Sequence, residues 1–408
     1  SHFSQLEKMH GDPLPESLCQ VEGTVLLHMN FAMKQDQELA KEYIKLVRKL
    51  DWAVIAAFDV ALLLSIARLP AFQKTVFDVV CMKVHHCFKD LLASTKSSES
   101  QGRNPQAEFV NAGLNGIILD VVNRSSHGWD YLLPSIVGLG SSLMDGYQAV
   151  MPTRTPASHI MHLEADIILR NMYSSRNRDP EDRQSGAGPA TFSPALLSCL
   201  VGMTILQRIF LLHDVVRMEI LERIFDHIVR CMAPNAAAGG GGRGAALSSA
   251  STQLQYISLL EKLVRHNPNV LLQYTAKLKD AVEYIPHQSP FIASCLLSAV
   301  QPMLSLSADL QDYVFLVLRK AFHNRQSSVR IIAVNGFLQL LSTGRKVLAL
   351  PTLSQVTICQ QSSAVDTDLE LLGVLRRCLS QQREVRERLY GGLYEVFLEK
   401  LALSDTVL

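Results

Sequence analysis

Apolar residues recur every three or four positions along most of this chain. In 60–69 they fall at Val60, Leu63, Leu64 and Ala67, and in 294–306 at Leu296, Leu297, Val300 and Leu304. The same spacing runs through 72–92, 215–232, 254–264 and 369–379. A 3.6-residue period places such positions on one helix face, so each segment predicts an amphipathic helix. Strand-like alternation is almost absent. Asp145-Gly146 and Asn335-Gly336 lie inside helical patterns and are expected at a helix end or as tolerated glycines, not as hairpin turns. Pro70, Pro134, Pro268, Pro286 and Pro302 punctuate the apolar segments, and Asp280, Asp309 and Asp312 are expected as caps or first-turn acids. On the order of 15–18 helices of about 10–20 residues, joined by short turns, predict an all-α fold. Its expected form is an α-solenoid of antiparallel HEAT/ARM-like helix pairs with a flanking helical domain, each pair burying its face on its neighbours.

Four stretches lack the period: 94–106, 174–194, 234–251 and 342–368. The third, PNAAAGGGGRGAALSSAS, carries too little apolar surface to order itself and is expected to be a linker. These breaks give the expected domains: a connecting segment at 1–20, a helical domain at 21–98, an α-solenoid at 107–341, a flexible linker at 342–365 and the start of a second helical domain at 366–408.

Composition narrows the function classes. The chain has 408 residues, 48% hydrophobic and 19% charged, with a formal net charge of +1. It creates no overall field for nucleic acid or membrane, so contact with either needs a local patch. The 8 Cys are scattered, several in apolar runs (Cys81, Cys199, Cys295), which suits reduced core thiols. The apolar run at 52–67 is short and carries Asp59, against about 20 apolar residues for a spanning helix, so no membrane contact is expected. The first residue is Ser, which fits an excised or processed fragment of a longer protein.

Catalytic motifs are missing. There is no G-x-S-x-G, P-loop, Rossmann fingerprint or HExxH, and the glycines of 239–242 have neither strand nor helix pattern beside them. Cys81, His85, His86 and Cys87 are the one metal-like group. Cys81 and His85 share a helix face, but Cys87 lies six residues on and turned away, which favours buried thiols beside a histidine pair over a tetrahedral site. No metal or cofactor is expected, and the chain reads as a non-enzyme.

Two basic clusters could meet phosphates: Arg319, Lys320, Arg325 and Arg330, then Arg376, Arg377, Arg383, Arg386 and Arg388. Interleaved Glu384 and Glu387 make the second resemble a solvated face with pairs such as Glu384–Arg388. Around Lys320 the helical wheel is informative. With Val314 at zero, Val317, Leu318 and Ala321 fall within about 60° and Phe315 and Phe322 near 80–100°, the core face. Lys320 at about 240° and Leu316 at about 200° fall on the far side, so Lys320 should reach solvent with an apolar neighbour beside it. Ser-Gln pairs occur at Ser4, Ser100, Ser354 and Ser380, with Thr252-Gln253 in addition. A phosphate on Ser354 would add about −1.5 to −2 charges near Arg319, Arg325, Arg345 and Lys346.

Four long segments then resemble one family. VEGTVLLHMNFAMKQDQELAKEYIK (21–45), SSHGWDYLLPSIVGLGSSLMDGY (125–147), AVQPMLSLSADLQDYVFLVLRKAF (299–322) and LRRCLSQQREVRERLYGGLYEVF (375–397) are similar, in order, to parts of the Fanconi anaemia group I family. The resemblance implies a central fragment: the first helical domain, the second solenoid and the start of the second helical domain. It implies a non-catalytic nuclear scaffold of interstrand-crosslink repair, with a secondary cytoplasmic pool, that pairs with a group D paralogue on double-stranded and branched DNA. It further implies that a RING ligase complex and its conjugating enzyme attach one ubiquitin, which closes the pair into a clamp, and that a deubiquitinase removes it. The family's acceptor motif falls on Leu318, Arg319, Lys320 and Ala321, making Lys320 the implied acceptor. Its Ser-Gln kinase cluster begins at Ser354, whereas the following Val356-Thr357-Ile358-Cys359-Gln360-Gln361 lacks the further pairs. Arg319, Arg325, Arg330, Arg376 and Arg377 are the candidate DNA or phosphate contacts. The competing reading is a HEAT-type transport or assembly scaffold that holds peptide cargo in a concave groove. An enzyme with an unrecognised pocket ranks last.

Overall fold

The computed structural model describes residues 16–95, 111–146, 194–230, 243–343 and 371–399. Helices and 3₁₀ turns make up its regular structure, and the described residues contain no strand. The chain divides into two compact units between Glu222 and Arg223. The segment expected to form one solenoid, 107–341, straddles that division.

In the first unit, α1 (Glu16–Gln35), α2 (Gln37–Lys49), α3 (Ala57–Ile66) and α4 (Pro70–Thr95) precede α5 (Leu114–Arg124), α6 (Leu133–Asp145) and α7 (Pro194–Leu212), and α8 (Arg217–Arg230) crosses the division. Pro70 opens α4, where its missing N–H costs nothing. The core helix is α3: eight of its ten residues are buried, which is why its apolar pattern covers every face. Helix α7 is longer and also mostly apolar. Length and composition alone would let it cross a membrane, but most of its side chains are buried against α4, α5 and α6. Gly140 and Gly202 allow α6 and α7 to cross closely, since a Cβ on Gly202 would lie 2.5 Å from the Gly140 carbonyl oxygen. Buried Lys83 donates to the carbonyls of Arg48 and Leu50, so α4 supplies the cation that caps the C-terminus of α2.

Long-range polar contacts anchor α1. The Arg124 guanidinium meets Glu22 at 3.2 Å and Asp120 at 2.6 Å, and stacks 5.2 Å from the Trp129 ring. The Trp129 indole donates to the Cys19 carbonyl at 3.0 Å. Gly128, at φ +99°, lets the chain pass so close that a Cβ on Gly23 would sit 2.3 Å from the Gly128 oxygen.

Ser125, His213 and two aspartates form a group with the composition of a hydrolase triad. Ser125 is fully buried and donates its only proton to the Val122 carbonyl at 2.6 Å, so it accepts from His213 Nε2 at 2.7 Å. A serine held this way presents no nucleophile. Burial depresses the His213 pKa, outweighing the pull of the Asp130 and Asp214 carboxylates in the other direction. The unfolded chain therefore takes up this proton at a higher pH than the folded one. First-unit stability should fall as pH drops through about 6.5, and replacing His213 with Gln should flatten that part of a pH series of denaturation midpoints.

The second unit follows with α9 (Arg243–His266), α10 (Pro268–Leu271), α11 (Thr275–Glu283), α12 (Pro290–Leu304), α13 (Ala308–Phe322), α14 (Ser327–Thr343) and α15 (Arg383–Glu399). Helix α14 is its hub, packing on α12, α13 and α15. Consecutive helices joined by a few residues and stacked on their neighbours are the solenoid arrangement expected. Two expectations change. Residues 243–251, read as linker, are helical: past the last glycine their Ala-rich sequence favours helix and extends the amphipathic run from 254. The N-cap of α13 is Ser307, which accepts from the Leu310 N–H at 3.2 Å; Asp309 lies in its first turn, Asp312 one turn on, and Asp280 inside α11.

Candidate modification site

Lys320 occupies the last turn of α13, beside Arg319, where cations meet the negative end of the helix dipole. Leu310, Val314, Val317, Leu318, Ala321 and Phe322 are buried, matching the wheel. Each large apolar side chain gains roughly 1.5–3 kcal/mol on burial, so rotating α13 to hide Lys320 would forfeit several such terms and desolvate an ammonium. The orientation is also clamped. Phe337 of α14 stands edge-on to Phe315 at 5.6 Å and Phe322 at 6.4 Å, and Leu318 fits over Gly336, which has no room for a Cβ. On another side Lys279 of α11 pairs with Asp309 at 2.6 Å and sits 5.5 Å from the Tyr313 ring. Burial, then the Glu283 and Asp280 carboxylates, raise the Tyr313 pKa.

Lys320 itself is exposed. Arg319 is exposed too, with its guanidinium 5.4 Å from the Phe315 ring, which stays half-buried instead of joining the core fully. Leu316, one turn before Lys320, is 47% exposed. Ser354, Arg345 and Lys346 lie outside the described residues.

The basic residues part in two ways. Arg325, Arg376 and Arg377 are exposed. Arg330 is engaged: it donates to the Gln381 and Gln382 side-chain oxygens at 2.6 and 2.7 Å and ties α14 to the turn before α15. That bridge holds Gln381 and Gln382 at the start of α14, and a third contact of the Arg330 guanidinium reaches the Arg325 carbonyl at 3.5 Å. In α15, Arg383 pairs with Glu387 at 2.7 Å, and Arg388 donates to Asn335 of α14. Arg330→Ala should therefore loosen α15, seen as faster amide exchange in 383–399, by removing two charge-assisted hydrogen bonds of about 1.5–3 kcal/mol each.

The metal-like group does not converge. His85 and His86 are exposed, while Cys87 is buried with its sulfur against Gly113, and no described cluster of three His, Cys, Asp or Glu could hold an ion. Burial pushes the Cys81 thiol up to about 12 and Cys378 up to about 11, so both stay protonated. Sequence reasoning missed an apolar groove of about 560 Å³ between α1 and α2, floored by Met29, Met33 and Tyr43 and edged by exposed Leu39 and Leu46. Period analysis assigns such residues to a helix face without saying that no described neighbour covers it.

The fold and site together define an all-α solenoid that presents a single lysine on the outer face of a clamped helix. Three family models match in chain order: FANCI helical domain 1 over residues 38–101, FANCI solenoid 2 over 245–338 and FANCI helical domain 2 over 347–408. The "Fanconi anemia group I protein" of Gallus gallus is 30% identical over 440 residues, covering 100% of this chain and 29% of the relative. The homologue from Mus musculus is 29% identical over 435 residues with the same coverage. The chain belongs to the Fanconi anaemia group I family, and it spans 29% of the length of the curated relatives it matches.

Proposed function

We propose that this chain is the central part of a non-catalytic DNA-repair scaffold that receives one ubiquitin on Lys320. The observation that carries the reading is the placement of Lys320: exposed on the last turn of α13, within the stretch matching FANCI solenoid 2, on a helix whose opposite face is locked into the core. In the reaction, the neutral Lys320 amine attacks the thioester carbonyl joining ubiquitin to its conjugating enzyme. The C–N isopeptide bond forms, the C–S bond breaks, the enzyme's thiolate leaves and the amine's proton passes to solvent.

The partner in this reading is a group D paralogue, bound together with the chain on double-stranded or branched DNA in the nucleus. The attached ubiquitin closes the pair around the duplex until a deubiquitinase removes it. Exposed Arg319, Arg325, Arg376 and Arg377 supply phosphate contacts, and phosphorylation at Ser354 tunes them. The helical domain at 21–98, the solenoid at 107–341 and the second helical domain from 366 are assigned on the same footing. The test is a reconstituted reaction containing ligase, conjugating enzyme, partner and DNA, with the product mapped by mass spectrometry. One ubiquitin on Lys320 is expected; a product carrying it on another lysine would refute the assignment.

A further inference from the structure

The outward face of α13 is a ridge of six residues, Asp309, Asp312, Leu316, Arg319, Lys320 and the following His323, all exposed. They fall within about 60° of one another's mean direction at 100° per residue. Five are polar or charged. Leu316 stands at the centre, four residues before Lys320 and hence directly beside it along the face. Nothing in the packing of α13 asks for a leucine there, because Val314, Val317, Leu318 and Phe322 already fill the core side.

We infer that Leu316 is a positioning residue for modification of Lys320: it is the apolar contact on which the thioester-bearing conjugating enzyme seats. The inference rests on the reading of Lys320 as acceptor. For the Lys320 nitrogen to reach a thioester carbonyl, the surface carrying that thioester must close over the last turn of α13. The residue one turn back, about 6 Å along the axis, then falls under the same surface. A leucine 47% exposed gains by being covered at that moment, while the ridge's acids toward the helix start and cations toward its end fix the orientation of approach. This contact selects Lys320 over an exposed lysine whose neighbour at four residues is polar, such as Lys45 after Lys41.

The experiment compares wild type, Leu316→Ser and Leu316→Met of this chain in the reconstituted reaction, following initial rates of ubiquitin attachment against chain concentration. Leu316→Ser should raise KM about tenfold with kcat and the thermal midpoint held, and Leu316→Met should restore KM to within about twofold. An unchanged KM in Leu316→Ser overturns the inference. So does a loss confined to kcat, or one accompanied by a lower thermal midpoint, which would make Leu316 a packing residue. Wild-type product mapped to Lys320 alongside an unmoved Leu316→Ser sinks this inference alone; wild-type product mapped elsewhere sinks the acceptor reading as well.

Discussion

Lys320→Arg is expected to leave the chain without ubiquitin under conditions that fully modify the wild type. Arginine keeps the length and charge of the last turn of α13, so the helix dipole contact survives and the thermal midpoint should not move. What it lacks is a lone pair. The guanidinium stays protonated at every usable pH and cannot attack a thioester, whereas an ammonium can lose its proton. Four lysines elsewhere are poor substitutes for reasons of place. Lys41 and Lys45 are paired with Glu38 and Glu42 on the surface of α2 at 2.5 and 2.7 Å, Lys279 is paired with Asp309, and Lys83 is buried under the end of α2. Residual attachment at the wild-type rate, on any lysine, would mean that geometry around Lys320 does not direct the reaction.

The second large effect is structural. Arg124→Met should destabilise the first unit by roughly 3–5 kcal/mol, because it removes the guanidinium that meets the Glu22 carboxylate at 3.2 Å where that side chain is only 3% exposed. Asp120 is less affected, being nearly half exposed. The same change removes the cation from the Trp129 face. Both tryptophans of the chain, Trp52 and Trp129, lie in this unit, so tryptophan fluorescence in a denaturant series reports it directly. Adding Glu22→Leu to Arg124→Met should recover much of the loss, since a buried pair replaced by apolar groups is often neutral. A single variant as stable as wild type would show that the pair contributes nothing to anchoring α1.

Much of α13 was legible beforehand because its information is local. Val314, Val317, Leu318 and Ala321 are close enough in sequence for a 3.6-residue period to declare a common face, and the exposure of Lys320 follows by subtraction. Arg330 shows the opposite case. Its charge and neighbours matched a phosphate contact, but its guanidinium is held by Gln381 and Gln382, some fifty residues downstream and polar in a way no periodicity marks. Residues 243–251 depart from the expected linker for a different reason: the glycines at 239–242 and at 244 set the composition of the window, while the helix is continuous with the amphipathic run that follows.

The sequence by itself determined the helical class, the buried face of each strongly periodic helix and the side of α13 on which Lys320 lies, since each depends on residues within a turn or two of one another. Only the tertiary structure decided that Arg124 closes on Glu22, that α7 packs in a core with α4, α5 and α6, and that Arg330 binds the turn before α15 instead of facing solvent. Those outcomes turn on which helix faces meet. Side chains of the same apolar or charged type suit many partners, and the choice among them is made by shape and by the burial of paired charges once the chain has closed on itself.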